Sequence, residues 1–154
     1  MEKTQIIHYQ ETTFAQLSDS DRQLMQAAIE ATATAYAPYS HFHVGAALRL
    51  ADGTLVRGSN QENIAYPSGL CAERTALFAA GAQYPNQAVD SMAVVGRNPE
   101  GRLVPASPCG ACRQVMAEQE SRQHQKLRVL CYHSEDKIWI FEGVESLLPF
   151  SFVM

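Results

Sequence analysis

The sequence lacks long apolar runs and has no large excess of either charge. No run approaches the roughly 20 residues of a membrane-spanning helix. The first residues have no signal-peptide layout either, because their apolar pair Ile6–Ile7 is too short. Twelve Lys and Arg oppose sixteen Asp and Glu, a net charge of −4, with no basic stripe for a polynucleotide. These absences predict a cytoplasmic protein whose partners are neither membranes nor nucleic acids.

Cysteine is also scarce, at four of 154 residues. In a reducing compartment such cysteines are more often metal ligands, catalytic groups or buried thiols than disulfides. The composition, 46% hydrophobic and 18% charged, excludes a disordered chain. The length fits one domain, so we expect residues 1–154 to form a single domain with residues 1–17 as an arm or edge strand.

Hydrophobic periodicity, helix-forming residues and turn residues together predict a series of helices and strands. A helix should begin after Ser18, whose hydroxyl can cap it, and end before Pro38. The turn residues 51–53 between two alternating segments predict a β-hairpin. The other predicted helices are 71–83, 109–120 and 144–148, and the predicted strands are 43–50, 54–58, 91–96, 127–132 and 137–141. This order favours an α/β fold, a mixed five-stranded sheet with helices on both faces.

Three of the four cysteines lie at predicted helix starts. Cys109–Cys112 is a Cys-x-x-Cys motif behind Pro108, and Cys71 opens another helix 38 residues earlier, with Glu73 two residues on. Helix N-termini favour thiolates, the form that binds metals. Three thiolates around Zn²⁺ leave the fourth tetrahedral position open, which is typical of catalytic rather than structural sites.

Other interpretations of these residues remain open at this point. Cys131 lies in an apolar strand and is interpreted as a buried core thiol. It would otherwise complete a structural four-cysteine zinc site, and all four thiols could instead be buried and metal-free. Arg74 and Arg113 each follow a candidate ligand and could donate to sulfur, or they could be solvated helix charges.

The order Cys-x-Glu and then Pro-Cys-x-x-Cys is the signature of zinc-dependent nucleobase deaminases, in which the Glu is not a ligand. Several wider segments resemble the free-nucleoside cytidine deaminases. These segments are residues 37–48 (APYSHFHVGAAL), 60–67 (NQENIAYP), 71–76 (CAERTA) and 107–114 (SPCGACRQ), and Leu147-Leu148-Pro149 followed by Phe152. The resemblance extends from about residue 18 to residue 152.

The resemblance implies zinc-dependent hydrolysis of cytidine and deoxycytidine to uridine and deoxyuridine, with release of ammonia, as in pyrimidine salvage. One Zn²⁺ per subunit would be held by Cys71, Cys109 and Cys112. Glu73 would be the catalytic proton shuttle.

The resemblance also implies a set of nucleoside-binding residues. Phe42 would line the pocket, with Asn60 and Glu62 on the ribose hydroxyls. The backbones of Ala72 and Ser107 would orient the base. Short members of this family form homotetramers with shared active sites, so Phe152 would stack on the pyrimidine in a neighbouring subunit.

Three alternative functions differ from this one in substrate or class. A deaminase of an antibiotic nucleoside such as blasticidin S would share the cysteine core, but the Asn60 and Glu62 pair favours general nucleosides. A polynucleotide deaminase usually has His where Cys71 stands, and needs a basic path for the strand. A zinc-stabilised binding module without catalysis is the third alternative.

Overall fold

A mixed β-sheet forms the centre of the fold. The computed structural model describes residues 1–153, and these contain seven strands and three α-helices. The helices are α1 (Asp19–Ala31), α2 (Ala72–Gln83) and α3 (Gly110–Gln123). The strands are β1 (Gln10–Thr12), β2 (His43–Leu50), β3 (Leu55–Ser59), β4 (Val89–Arg97), β5 (Leu103–Val104), β6 (Arg128–Ser134) and β7 (Lys137–Phe141). None of the helices in this described part combines the length and apolar character that crossing a bilayer requires.

The strand order across the sheet is β1-β7-β6-β4-β2-β3, and β5 pairs with the end of β4. β4 and β6 are parallel and are joined through α3, whereas the other pairs are antiparallel. The predicted α/β class is confirmed. The five predicted strands correspond to β2, β3, β4, β6 and β7, and the sheet is extended beyond them by two strands. The added strands β1 and β5 have only three and two residues, too few to show an alternating pattern.

Helices cover both faces of the sheet, as predicted. On one face, Leu24, Met25 and Ala28 of α1 pack against Ala47 of β2 and Leu130 of β6. On the other face, α2 and α3 pack against the alternate side chains of the same strands, which include Ala46, Leu48, Val129 and Cys131. The period of two in a strand sends neighbouring residues to opposite faces, so both cores use the same strands.

Helix α1 ends earlier than the predicted stop at Pro38. Its last residue is Ala31, and the chain tightens into a 3₁₀ turn over Thr32–Thr34. The Thr32 hydroxyl donates to the Ile29 carbonyl at 2.7 Å and the Thr34 hydroxyl donates to Ala31 at 3.0 Å. These side chains satisfy carbonyls that a helix end leaves without partners, so the helix can stop before the proline.

Two glycines let helices approach the sheet closely. A Cβ added at Gly45 on β2 would lie 2.0 Å from the carbonyl oxygen of Ala28 on α1. A Cβ added at Gly58 on β3 would lie 2.5 Å from the carbonyl oxygen of Ala72, the first residue of α2. The start of α2 is therefore seated directly on β3, which fixes the position of the residue before it, Cys71.

Candidate metal centre and adjoining cavity

The starts of α2 and α3 bring three cysteines together. Cys71 and Cys109 are the N-cap residues of the two helices, and Cys112 lies in the first turn of α3, fully buried. Their Sγ atoms all lie within 4.8 Å of one another. The distance from the Sγ of Cys109 is 3.8 Å to that of Cys71 and 3.5 Å to that of Cys112. A tetrahedral ion with zinc–sulfur bonds of about 2.3 Å requires sulfurs about 3.8 Å apart, so the three residues fit Zn²⁺.

The surroundings of the cluster favour its ionised form. Both helices direct the positive ends of their dipoles at the sulfurs. A hydrogen bond from Cys112 and the nearby Arg74 guanidinium lower the pKa of the Cys71 thiol. Arg74 Nη2 donates to the Cys71 Sγ at 3.6 Å, so this cation directly offsets part of the thiolate charge.

The second arginine, Arg113, donates its hydrogen bonds to backbone carbonyl groups. Its Nε donates to the carbonyl of Pro108 and its Nη1 to that of Leu147, both at 2.8 Å. Pro108 immediately precedes Cys109, so Arg113 ties the turn before α3 to the segment that follows β7. A charge-offsetting contact to sulfur remains a prediction for Arg113.

Cys131 lies in β6 beneath the cluster and is fully buried in the same core as Cys112. Burial raises the pKa of its thiol to about 12, which favours the neutral form. Within residues 1–153, the group of side chains close enough to share a metal ion consists of Cys71, Cys109 and Cys112. The four free cysteines therefore divide into three at the helix starts and one in the core.

Glu73 lies in the first turn of α2, two residues after Cys71, and its exposed fraction is only 3%. Burial is the main reason that the pKa of its carboxyl group is raised, and the negative charge of Cys71 adds to the rise. A buried carboxyl group beside a metal site is placed to exchange protons with a small molecule bound there.

A cavity of about 440 Å³ opens beside Cys71. This volume is within the usual range for small-molecule pockets. Four of the predicted site residues line it: Asn60, Glu62, Cys71 and Arg74. The lining also includes side chains that were not predicted to have a role, among them Tyr39, Ser40 and Tyr66.

Asn60 and Glu62 bind the start of β2 and the loop that precedes it. Asn60 Oδ1 accepts from the Val44 N–H at 2.7 Å, and its Nδ2 donates to the Phe42 carbonyl at 2.8 Å. Glu62 Oε2 accepts from the N–H groups of Tyr39 at 2.9 Å and Ser40 at 3.2 Å. Its Oε1 accepts from the Ser40 hydroxyl. These contacts with donors lower the pKa of Glu62, with the Ser40 hydroxyl as the largest cause.

Phe42 lies beside this network and packs on the sheet. Its ring leaves no room for a side chain at Gly96 of β4, where a Cβ would be 2.7 Å from Phe42 Cζ. The exposed fraction of Phe42 is 37%, so one part of the side chain is packed and another part remains accessible.

Ala72 and Ser107 flank the cysteine cluster. Ala72 is fully buried and follows Cys71 as the first residue of α2, where backbone N–H groups have no acceptor within the helix. Ser107 is exposed and lies two residues before Cys109. The neighbouring Ala106 N–H donates to the Tyr132 carbonyl at 3.1 Å, which ties this segment to β6.

Phe152 lies in the C-terminal segment, and its side chain is 74% exposed. Its backbone is held by Gln114 on α3: the Phe152 N–H donates to Gln114 Oε1 and the Gln114 Nε2 donates to the Phe152 carbonyl, both at 2.9 Å. The backbone is thus held by α3 while the side chain remains largely exposed.

Two side chains of this region, Ser40 and Gln114, were not among the predicted site residues. Both lie in the segments that resemble the deaminases, which is the only sequence signal for them. Their partners are 22 and 38 residues away, so local pattern could not identify the contacts.

The fold and the site together define a zinc-binding α/β protein with its metal ligands at the starts of two helices and a cavity alongside. A family model described as the cytidine and deoxycytidylate deaminase zinc-binding region matches residues 18–127. The chain belongs to this family. The match also confirms the prediction of zinc, since the cysteine cluster fits that ion.

Individual relatives agree with the family match. The chain is 52% identical over 99 residues to a cytidine deaminase of Halalkalibacterium halodurans, covering 64% of this chain and 71% of that one. It is 54% identical over 84 residues to a cytidine deaminase of Sporosarcina psychrophila, and spans only 58% of that relative. Among solved structures, a cytidine deaminase from Burkholderia pseudomallei superposes with a TM-score of 0.74 at 40% identity, over 88% of this chain and all of that one.

Proposed function

We propose that this chain is a zinc-dependent cytidine deaminase that converts cytidine and deoxycytidine, by hydrolysis, to uridine and deoxyuridine with release of ammonia. The observation that carries the proposal is the placement of three thiols within 4.8 Å, at the starts of two helices, next to a buried carboxyl group. Membership of the deaminase family and the relatives named cytidine deaminase support it. No observation favours blasticidin S as the substrate.

In this proposal Cys71, Cys109 and Cys112 hold the ion, and Arg74 offsets part of their charge. Zinc held by these three thiolates would make hydroxide available near neutral pH, because the ion would lower the pKa of a water bound in its open position. Glu73 accepts the proton that this water loses and delivers it to N3 of cytosine, which makes C4 more electrophilic. The same carboxylate would then take the proton of the new C4 hydroxyl and pass it to the exocyclic nitrogen, so that the C4–N bond breaks, ammonia leaves and a carbonyl forms at C4. One water is consumed and one ammonia released, so the reaction balances.

The cavity beside Cys71 would take the sugar. Asn60 and Glu62 line it, and both retain hydrogen-bonding capacity beyond their contacts within the chain. We assign them to the ribose hydroxyls, Phe42 to the pocket wall, and the backbones of Ala72 and Ser107 to the edge of the base. A site built to pair with hydroxyl groups discriminates against ligands that lack them, so free cytosine should be a poor substrate.

The proposed activity is tested by incubating the zinc-loaded protein with cytidine while following the absorbance change and the ammonia released. We expect uridine and ammonia in equal amounts, with about one zinc per chain, as a site of three thiolates predicts. Blasticidin S, free cytosine and a single-stranded oligonucleotide serve as comparison substrates. A protein that carries zinc but releases no ammonia from cytidine or from any comparison substrate would leave only a zinc-stabilised binding module.

We also propose a homotetramer with shared active sites, in which Phe152 of one chain stacks on the base bound by another. The exposed apolar side chains near the cavity support it: Tyr66 is 75% exposed and Ile64 is 82% exposed. The backbone of Phe152 is held by Gln114 while its ring remains accessible, which suits a side chain that acts on a neighbour. The free cysteines favour a reducing compartment, which supports a cytoplasmic location. Conversion of free cytidine to uridine would give the chain a role in pyrimidine salvage.

Complementation between two defective chains tests the shared site. Phe152→Ala and Glu73→Gln variants are each expected to lose most activity alone. Co-expressed in one tetramer, they should give activity above the sum of the two, because some sites combine an intact Glu73 with a neighbour's intact Phe152. Phe150→Ala is the matched control, since Phe150 lies in the same segment and is 88% exposed. A fully active monomer in light scattering would contradict the shared site.

A further inference from the structure

The loop of residues 39–42 is held by a hydrogen-bond network centred on Ser40. The Ser40 N–H and hydroxyl both donate to the Glu62 carboxylate, one to each oxygen. The Ser40 Oγ also accepts from the Phe42 N–H at 3.1 Å. The Ser40 hydroxyl group thus connects two residues. Glu62 lines the cavity, and Phe42 packs on the sheet at Gly96.

The backbone between these two contacts has an uncommon conformation. His41 has a φ of 55°, in the left-handed region that non-glycine residues seldom occupy. Such a residue persists only where its surroundings hold it. The surroundings here are the Ser40 hydroxyl on one side of the bend and the Asn60 amide, which binds the Phe42 carbonyl, on the other.

The Glu62 carboxylate is nearly saturated by this loop. An ionised carboxylate offers about four acceptor positions. The N–H groups of Tyr39 and Ser40 use two on Oε2, and the Ser40 hydroxyl uses one on Oε1. The remaining position on Oε1 has its direction fixed by these donors, so Glu62 can receive a single further hydroxyl group in a defined orientation.

We propose that Ser40 is a positioning residue for nucleoside binding, whose hydroxyl sets the orientation of Glu62 and holds Phe42 beside it. The inference rests on the proposed function only in naming the nucleoside as the ligand. Ser40 does not touch the substrate in this proposal, and its effect passes through Glu62 and Phe42. An exposed serine that merely caps a turn would affect stability but not selectively affect nucleoside affinity.

The first experiment measures uridine binding to the zinc-loaded protein by calorimetry, which requires no turnover. Ser40→Ala should weaken uridine binding about tenfold, the usual effect of losing a hydrogen bond to a charged group. Ser40→Thr keeps the hydroxyl, so its affinity for uridine should remain within about threefold of that of the unmodified protein. Ser121→Ala, at an exposed serine of α3, is the matched control and should change nothing.

The second experiment separates a path through Glu62 from a general effect on the loop. In kinetics with cytidine, Ser40→Ala should raise KM about tenfold and leave kcat and zinc content nearly unchanged. In a protein that already carries Glu62→Gln, the Ser40→Ala substitution should alter kcat/KM less than about twofold, because the charged carboxylate that the Ser40 hydroxyl binds is absent.

Equal uridine affinity in the Ser40→Ala and unmodified proteins would overturn the proposal. So would an equal loss of kcat/KM on Ser40→Ala substitution in the proteins with Glu62 and with Glu62→Gln. Its failure is distinguishable from failure of the deaminase proposal. A protein that binds uridine in a Ser40-dependent way, yet releases no ammonia from cytidine, would contradict only the proposed activity.

Discussion

Glu73 and Cys71 are two residues apart, yet their surroundings push their acid–base behaviour in opposite directions. The Cys112 hydrogen bond and Arg74 lower the pKa of Cys71, whereas burial raises that of Glu73. At the start of α2, the surroundings therefore favour the ionised form of Cys71 and the protonated form of the nearby Glu73. Ligand and proton carrier are the two roles that hydrolytic deamination requires side by side.

Replacing Glu73 by Gln separates these two roles. The amide keeps nearly the same shape but carries no transferable proton, so zinc content should be unchanged. Turnover of cytidine should fall about 10²- to 10⁴-fold or more, the usual contribution of a positioned acid–base group. Zinc analysis and ammonia release measure the two quantities. Glu118→Gln, at an exposed position of α3, is the control, and substantial turnover in the Glu73 variant would contradict the role of proton shuttle.

Replacing cysteines one at a time tests the division into three ligands and one core thiol. Cys71→Ala should lose zinc and activity together, because two sulfurs from one motif do not make a complete site. Cys131→Ala should keep both and lower the free energy of unfolding by about 1 kcal/mol, from the small void left in the core. Metal analysis and denaturant unfolding give these values. Normal zinc in the Cys71 variant would remove it from the ligand set.

The sequence could predict the metal cluster but not the loop beside it. Cys71, Cys109 and Cys112 carry a local signal, since Cys71 precedes a run of good helix formers and the Cys-x-x-Cys motif follows Pro108 at a predicted helix start. Ser40 has no such signal, because its importance comes from Glu62, 22 residues away, and from a left-handed His41. Contacts between irregular segments depend on three-dimensional placement that local propensity does not encode.

The helix that follows Cys71, α2, is packed closely on the sheet at Gly58 of β3. The chain has no side chain at the point where the Ala72 carbonyl meets the strand. The metal site therefore depends on a helix-to-strand distance as well as on its ligands. A small increase in the distance between α2 and β3 should therefore lower the affinity for zinc.

Gly58→Ala should push the start of α2 away from β3. We expect a loss of about 1–3 kcal/mol in unfolding free energy from overpacking, together with weaker zinc binding, because Cys71 moves relative to the other two sulfurs. Gly81→Ala, in α2 where the nearest atom to a new Cβ is 3.8 Å away, is the control. It should leave zinc affinity unchanged and raise stability by up to about 1 kcal/mol. Equal zinc affinity in both variants would contradict the dependence on spacing.

The presence of helices and strands was predicted better than the residues at which the helices end. The strand β7 matches its predicted range, 137–141, because apolar side chains run through it between polar neighbours. Helix α3 extends to Gln123, past the predicted end at residue 120, and its cap is His124 with a φ of 52°. A histidine in the left-handed conformation gives no stop signal of the kind that glycine gives. Helix α1 stopped early because threonine side chains satisfied its last carbonyls.

Removal of the metal should reduce the stability of the entire fold as well as the activity. Zinc that binds the folded chain but not the unfolded one stabilises it by about 2.7 kcal/mol when its free concentration is a hundred times Kd. For a chain of this size, that is a shift in Tm of about 5–10 °C. Thermal unfolding with and without a chelator measures the shift, and readdition of zinc should reverse it. An unchanged Tm after complete removal of zinc would contradict this coupling.

The separation of the ligands along the chain also has a consequence for the order of folding. Cys109 and Cys112 lie within one helical turn and can meet as soon as α3 begins to form, whereas Cys71 must be brought across 38 residues. That approach requires β4 to pair with β2 and α2 to settle on β3, contacts between distant segments that form slowly. We therefore expect a chain that is still folding to bind zinc only weakly, through two sulfurs, and to bind it tightly only after β4 has paired with β2 and α2 has packed on β3.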